Sequence, residues 1–553
     1  MIPNLADRIE ELSVILTERL SVLNTPGEVA IADTVYALLA DFPYFRQHTE
    51  NLRFISAPND QLGRKSVMAV VRGEKDLDNS RTVVCVGHMD TVGISDYGNL
   101  RQFANKPYLL TEKFEKMKGQ LSPECQRDLS SGDYLFGRGI FDMKAGDAII
   151  IALLEYITAD IKNFSGNVIF LAVCDEEGSS TGMLSAVSEL RRMQDSGKYD
   201  LCAMVDTDYM TSEYEGDENK YVYIGTVGKL MPAFFIVGKE THVGEPFKGL
   251  DPNQISSDIT SLVVLNPDFC DIAEGEASLP PVTLCQKDLK QEYSVQTSRT
   301  SLVYFNYATH CSTPDQVLKK MKAVAKQGME RTIANLQARY DRYKQIAGQP
   351  KKVLPWKARV LSFEELCAAV RRERGASFDT QLSKLLSELS QNDQMDVQQK
   401  SQKIVEFVHE LWSDRDPVVI VGFFPPYYPH IHIAGTREKE RKLLSAVGQA
   451  VKDTQCDYKL VWKKFFPYIS DLSYAAAPQD SHVIAALKNN MPGFGVTYDL
   501  PLADMQALNL PVVDIGTFGK DAHKFTERLE KQYSFHVTPE LVYRTILNLL
   551  TSP

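Results

Sequence analysis

The chain has 553 residues, more than one hydrophobic core usually organises, so two or more domains are expected. Its composition, 44% hydrophobic and 24% charged, is ordinary for a soluble globular protein, and a net charge of −11 with no clustered stripe of Lys and Arg argues against nucleic acid as a partner. Nine scattered cysteines without a CxxC pair fit a reducing compartment, and neither a signal-peptide core nor a bilayer-length apolar run is present, so a cytoplasmic protein without a membrane partner is expected.

Residues 28–40 (EVAIADTVYALLA) carry helical spacing. Residues 82–87 (TVVCVG) form a short β-branched run, as in a strand buried on both faces. The spacing then predicts a buried helix over 143–158 and further buried strands over 167–174 (NVIFLAVC) and 201–205 (LCAMV). Such alternation implies an α/β domain with a mostly parallel central sheet covered on both faces. Near Tyr221 the pattern changes. Residues 221–227 and 231–238 read as a hairpin or paired strands, followed by a helix at about 253–264 and a strand at 301–306, the order of a small α+β lid. Ser312-Thr313-Pro314-Asp315 is a good helix start, and helical patterns continue with breaks to about Trp412. A strand over 417–423, a helix over 437–452, the apolar run 511–515 and a last helix over 538–550 return the chain to α/β character. The expected organisation is a catalytic domain made of 1–222 and 431–553, interrupted by a lid over 223–430 that carries a helical insertion at about 314–412.

Five places carry chemistry. In Gly87-His88-Met89-Asp90, His88 can offer a ring nitrogen to a metal while Asp90, two residues on and on the same face, holds the other ring N–H. Asp142, where the turn Gly137-Arg138-Gly139 enters an apolar helix, can bridge two cations or simply cap the helix. Asp175-Glu176-Glu177 places three acids at the end of a buried strand, where repulsion disfavours full ionisation unless cations or hydrogen bonds compensate; a solvated acidic turn is the plain alternative. Asp206-Thr207-Asp208 and Gly516–His523 follow further strands, each readable as a polar loop, and a lone histidine such as His523 is usually a surface residue. Together they tell more: each lies just past a predicted buried strand, at the edge where open α/β sheets bind ligands, and the His, Asp and Glu set suits zinc.

The ordered landmarks GHMD, GRGIFDMKAG, CDEEGSSTG, VDTDYM, VGKETHVGEPFKGLDPNQ, SDLSYAA and GTFGKDAHKFTE, spanning residues 87–527, resemble the M20 family of zinc metallopeptidases and amidohydrolases. The length and enlarged middle are most similar to its RocB-type arginine-utilisation branch. The resemblance implies a zinc-exopeptidase-like fold, two zinc ions (cobalt or manganese in their place), and a homodimer formed through the lid. It implies His88 and Glu177 as terminal ligands on different ions, Asp142 as the bridge, and Asp206 and His523 completing the two shells. It further implies Glu176 as general base and then acid, Asp90 orienting His88, and His242 reaching a partner's site to polarise the substrate carbonyl. Asp471 matches a recurrent aspartate of structural role. Many relatives carry an arginine at the end of the lid strand; here Phe305-Asn306-Tyr307-Ala308 stands there, making Asn306 and Tyr307 the substrate-binding candidates at that position. The reaction expected is hydrolysis of an amide, peptide or ureido C–N bond in a small amino-acid-derived substrate, with arginine or ornithine catabolism as its setting. The alternatives are a di- or tripeptidase and a non-catalytic metabolite-binding homologue; an intact Glu176 disfavours the latter.

Overall fold

The computed structural model describes residues 5–58 and 60–551. The chain divides into two compact units. The first holds the chain through Thr226, Ile431–Ala477 and the chain from Pro501 onward; the second holds Val227–His430 and Pro478–Leu500. The segment 478–500 is therefore part of the second unit, whereas the sequence reading assigns all of 431–553 to the first.

The first unit is built on a nine-stranded sheet. Its order is Leu52–Ser56, Lys65–Arg72, Asn167–Val173, Arg81–His88, Asp200–Asp206, Val512–Asp514, Lys220–Thr226 and Ile431–His432, with Leu460–Lys463 also pairing to Lys220–Thr226. The four central strands, Asn167–Val173 through Val512–Asp514, are mutually parallel, while the flanking strands are mostly antiparallel. Successive side chains of a strand face opposite sides, so the unbroken burial of Thr82–His88 and Asn167–Val173 means both faces of the sheet are covered. The apolar helices Ala145–Ala159 and Thr538–Thr551 both pack on Arg81–His88. The register aligns the strand ends: His88 pairs Val173, Val86 pairs Asp206, and Asp206 pairs Asp514. Parallel direction thus delivers the residues that follow these strands to one edge. A separate three-stranded sheet, Gly519–Lys520, Arg528–Glu530 and Tyr134–Phe136, supports the segments that carry Asp142 and His523.

The second unit has a six-stranded sheet in which Thr300–Thr309 pairs with Val282–Asp288, Pro232–Val237 and Gly228–Leu230, and Val418–Phe423 lies between Pro232–Val237 and Val360–Ser362. The sequence reading of 221–227 and 231–238 as paired strands is corrected here: Lys220–Thr226 pairs within the first unit and Pro232–Val237 within the second. The predicted insertion consists of the long helix Pro314–Ile346 and the shorter helices Phe363–Arg374, Ala376–Ser390 and Val397–Leu411. The long helix packs on Pro252–Val263. The three short ones bury Leu366, Phe378, Ile404 and Val408 against Met231, Ala233, Phe235 and Val237, which alternate along one face of the sheet. Much of the insertion therefore builds the second unit's own core. Among the described residues no helix is long and apolar enough to cross a membrane.

Candidate metal centre

His88 is the last residue of its strand and is nearly fully buried. Its Nε2 lies 3.1 Å from Asp142 Oδ1, and its Nδ1 lies 3.1 Å from the backbone oxygen of Asp90. The other oxygen of Asp142, Oδ2, is 3.0 Å from His523 Nε2, which is also 2.9 Å from Glu177 Oε1. Asp142 thus turns one oxygen to each histidine. Two groups of three result, His88–Asp142–Asp208 and Asp142–Glu177–His523, in each of which the potential ligand atoms lie within 4.8 Å of one another. They share Asp142.

Local structure explains how these side chains are held. The first of the three adjacent acids faces away from the centre: Asp175 Oδ1 accepts from Arg64 Nη1 at 2.5 Å, and its Oδ2 accepts from Thr181 Oγ1 at 2.7 Å. That pairing compensates the charge of Asp175, while Glu176 and Glu177 still repel each other. The loop is fixed again by Asp90, whose two carboxylate oxygens accept the backbone N–H groups of Glu176 (3.1 Å) and Glu177 (3.0 Å). Asp90 Oδ1 is 3.9 Å from His88 Nδ1, so the ring is oriented through the Asp90 backbone carbonyl, and the carboxylate's direct work is to hold the two glutamates. The turn ahead of Asp142 is set by buried Glu527, which accepts from Gly139 N–H at 2.7 Å and from Arg138 at 2.6 Å. Burial pushes Glu527 up to about 7, with Arg138 opposing.

The 206–208 segment departs from expectation. Both oxygens of Asp206 are engaged, Oδ1 by Thr207 N–H at 2.8 Å and Oδ2 by Ser470 Oγ at 2.9 Å. Asp206 ties the strand end to the Ser470-Asp471 segment, and the acid grouped with His88 and Asp142 is Asp208. The sequence shows both acids in one motif, but only the point where the strand ends tells which one turns to the centre. Gly516 is required by this packing: a Cβ there would stand 1.5 Å from the Asp208 carbonyl oxygen. Replacing Asp208 with Ala is expected to lower bound metal and to cut kcat/KM by more than about 100-fold, whereas Asp206→Asn, which still accepts hydrogen bonds, should cost less than about tenfold. Metal analysis and steady-state kinetics on both variants check this; the reverse ranking would return Asp206 to the ligand set.

The charge balance fits bound cations. Burial raises Asp90 to about 6 and Asp206 to about 6, and burial followed by the charges of Asp142 and Asp206 holds Asp208 well above the usual carboxylate range. Burial likewise raises Glu176, opposed by His88 and reinforced by Asp471, Glu177 and Asp208. Hydrogen bonds to Asp142 and Glu177 raise His523 to about 10. Such an excess of buried carboxylates around two imidazoles is the environment divalent cations relieve. Three N/O donors in each group suit zinc and leave coordination positions open, as catalytic sites do. Glu176 is in neither group; its Oε2 lies 4.0 Å from His88 Nε2, beside the centre.

His242, Asn306 and Tyr307 belong to the second unit and are not part of this cluster. His242 is exposed, its Nδ1 accepting from Gly244 N–H at 3.0 Å. Asn306 pairs with Val282 across the sheet and is partly exposed. Tyr307 is wholly buried, so the reading of it as a substrate contact is corrected: its ring is core. Aromatic residues that the sequence reading did not single out as site residues stand next to the ligands. The Tyr209 ring lies 4.8 Å from that of Phe141 and stacks at 5.0 Å on that of Tyr468.

Residues 85–548 match the family described as Peptidase family M20/M25/M40. The chain is 34% identical to protein RocB of Bacillus subtilis (strain 168) over 551 residues, covering 99% of this chain and 96% of that one. Its fold is similar to that of a tripeptidase from Staphylococcus aureus (TM-score 0.52, 12% identity, 99% of this chain and 98% of that one covered). It is also similar to that of the Bacillus subtilis YxeP protein, described as a dinuclear metal-binding peptidase of the M20 family (TM-score 0.50, 13% identity, both chains covered in full).

Proposed function

The chain belongs to peptidase family M20/M25/M40 and is a metallohydrolase of that type, and on this premise we propose that it is a dinuclear zinc enzyme cleaving C–N bonds in small amino-acid-derived substrates. The observation that carries the reading is the sharing of Asp142 between two three-residue ligand groups, with one oxygen toward each histidine. His88, Asp142 and Asp208 would hold one ion, and Asp142, Glu177 and His523 the other. Bound there, a zinc pair supplies Lewis acidity toward a substrate carbonyl and toward water.

The chain's own residues account for the proton traffic. Glu176 Oε2 takes a proton from water as its oxygen attacks the carbonyl carbon, then passes that proton to the nitrogen as the C–N bond breaks. A carboxyl raised by burial is suited to carry a proton near neutral pH. Asp90 keeps Glu176 and Glu177 in place through their backbone N–H groups. The resemblance to the arginine-utilisation branch supports an N-substituted or ureido compound of the arginine–ornithine group as substrate. Nine free cysteines support a reducing, cytoplasmic setting.

In this reading the protein is a homodimer through its second unit, with the partner's His242 polarising the carbonyl. His242→Ala is then expected to lower kcat by about 100-fold or more while leaving metal content unchanged. Loss of metal in that variant would show a different role for the residue. The test of the function is turnover on a panel of N-acyl amino acids, ureido acids and dipeptides, with and without a chelator. Cleavage confined to one class and abolished by chelation supports the reading and identifies the class; cleavage that survives complete metal removal contradicts it.

A further inference from the structure

Lys220 opens the strand Lys220–Thr226, which runs antiparallel to Val512–Asp514 with Asp514 opposite Tyr223. Its first residue therefore emerges at the sheet edge where His88 and Asp206 end their strands. Lys220 is only 5% exposed. Its ammonium lies 3.6 Å from the centre of the Phe518 ring and 5.1 Å from that of Tyr458. No ion pair or side-chain hydrogen bond joins it to any described residue. Glu530 and Asp217 favour its charge without an ion pair, and a buried charge whose close partners are aromatic faces recovers only part of its lost hydration.

This ammonium lines a cleft of about 1260 Å³ together with Phe141, Tyr209, Tyr458, Phe518 and Asp521. Phe141 and Tyr209 directly adjoin Asp142 and Asp208 in the chain, and Ala522 and Lys524 flank His523, so the cleft is walled by chain neighbours of three candidate ligands. Glu124, Glu215, Asp217, Glu218, Asp457 and Asp521 also line the cleft, and of these Asp217 and Asp521 are held by other partners. Asp217 accepts from the Tyr221 hydroxyl at 2.6 Å and from two backbone N–H groups, and Asp521 accepts from Arg528 at 2.5 Å and Thr526 at 2.8 Å. The cleft thus offers a buried cation without an ion pair over an aromatic floor, walled by chain neighbours of the candidate ligands.

We propose that Lys220 binds a free carboxylate of the substrate, which makes the substrate class carboxylate-bearing amides or ureido acids whose body lies along the Phe518–Tyr458 floor. This rests on the hydrolase reading above. Burial, which lowers the Lys220 pKa, is offset by a bound carboxylate, so binding of the anion and retention of the lysine's charge reinforce each other.

The test is calorimetric titration of the full-length, metal-loaded protein carrying Glu176→Gln, which halts turnover, with N-benzoylglycine and with its carboxamide. The acid is expected to bind about tenfold more tightly than the carboxamide. Adding Lys220→Met, which keeps an unbranched chain in the aromatic box, should abolish that preference while leaving carboxamide affinity, metal content and thermal midpoint unchanged. Lys220→Arg should restore part of it. Equal binding of acid and carboxamide, absence of acid binding at millimolar concentration, or a preference that survives Lys220→Met would overturn the proposal, the last by placing the carboxylate on the metal centre. Because the readout is binding, loss of the proposal leaves the hydrolase reading to be judged on turnover alone.

Discussion

Glu176→Gln is expected to lower kcat by about 10³- to 10⁴-fold, the upper part of the range for loss of a positioned general base, with metal content unchanged. Glu176 stands outside both ligand groups, so an isosteric amide leaves the donor set complete. The Glu176 backbone is held by Asp90 through its N–H, a contact that does not depend on the side chain. What the amide removes is the capacity to accept a proton at neutral pH. Stopped-assay kinetics beside elemental analysis separate the two contributions. A variant within about tenfold of wild type would assign the proton transfer to another group.

Asp142→Ala should be more severe, because one residue serves both groups. Its Oδ1 faces His88 and its Oδ2 faces His523, and the hydrogen bond to it is the largest cause that raises the pKa of each histidine. Without it each remaining group keeps only two protein donors, His88 with Asp208 and Glu177 with His523. Catalytic zinc sites ordinarily need about three. The expected result is loss of most bound metal, turnover at background, and a circular-dichroism spectrum like that of wild type, since the sheet and its helices do not depend on this side chain. Retention of about two ions per chain in this variant would remove the bridge from the account.

The sequence makes the first unit's parallel centre legible because short β-branched runs such as Thr82–Val86 and Val168–Val173 fit strands buried on both faces better than helices, and their spacing leaves room for covering helices. His88, Asp142, Glu177 and His523 were legible as a set because each follows a glycine-bounded turn or strand end. Non-local choices were not. Lys220–Thr226 and Pro232–Val237 are apolar neighbours in sequence, yet their partners include Val513 and Val418, nearly 300 and 200 residues away, and no local signal carries such pairing. Which of Asp206 and Asp208 is grouped with His88 and Asp142 is not given by the motif, and Asp206 is held by Ser470 from a distant segment. The role of Asp175 likewise waits on Arg64, 111 residues earlier. The burial of Tyr307 depends on elements packed around Thr300–Thr309, which an alternating pattern alone does not locate.

The central claim is that two metal ions share Asp142. Anomalous diffraction from crystals of the zinc-loaded protein, recorded on either side of the zinc absorption edge, tests it most directly. The account predicts two peaks about 3.5–4 Å apart, one beside His88 and Asp208 and the other beside Glu177 and His523, with Asp142 between them. A single peak away from Asp142, or none at saturating zinc, would contradict it.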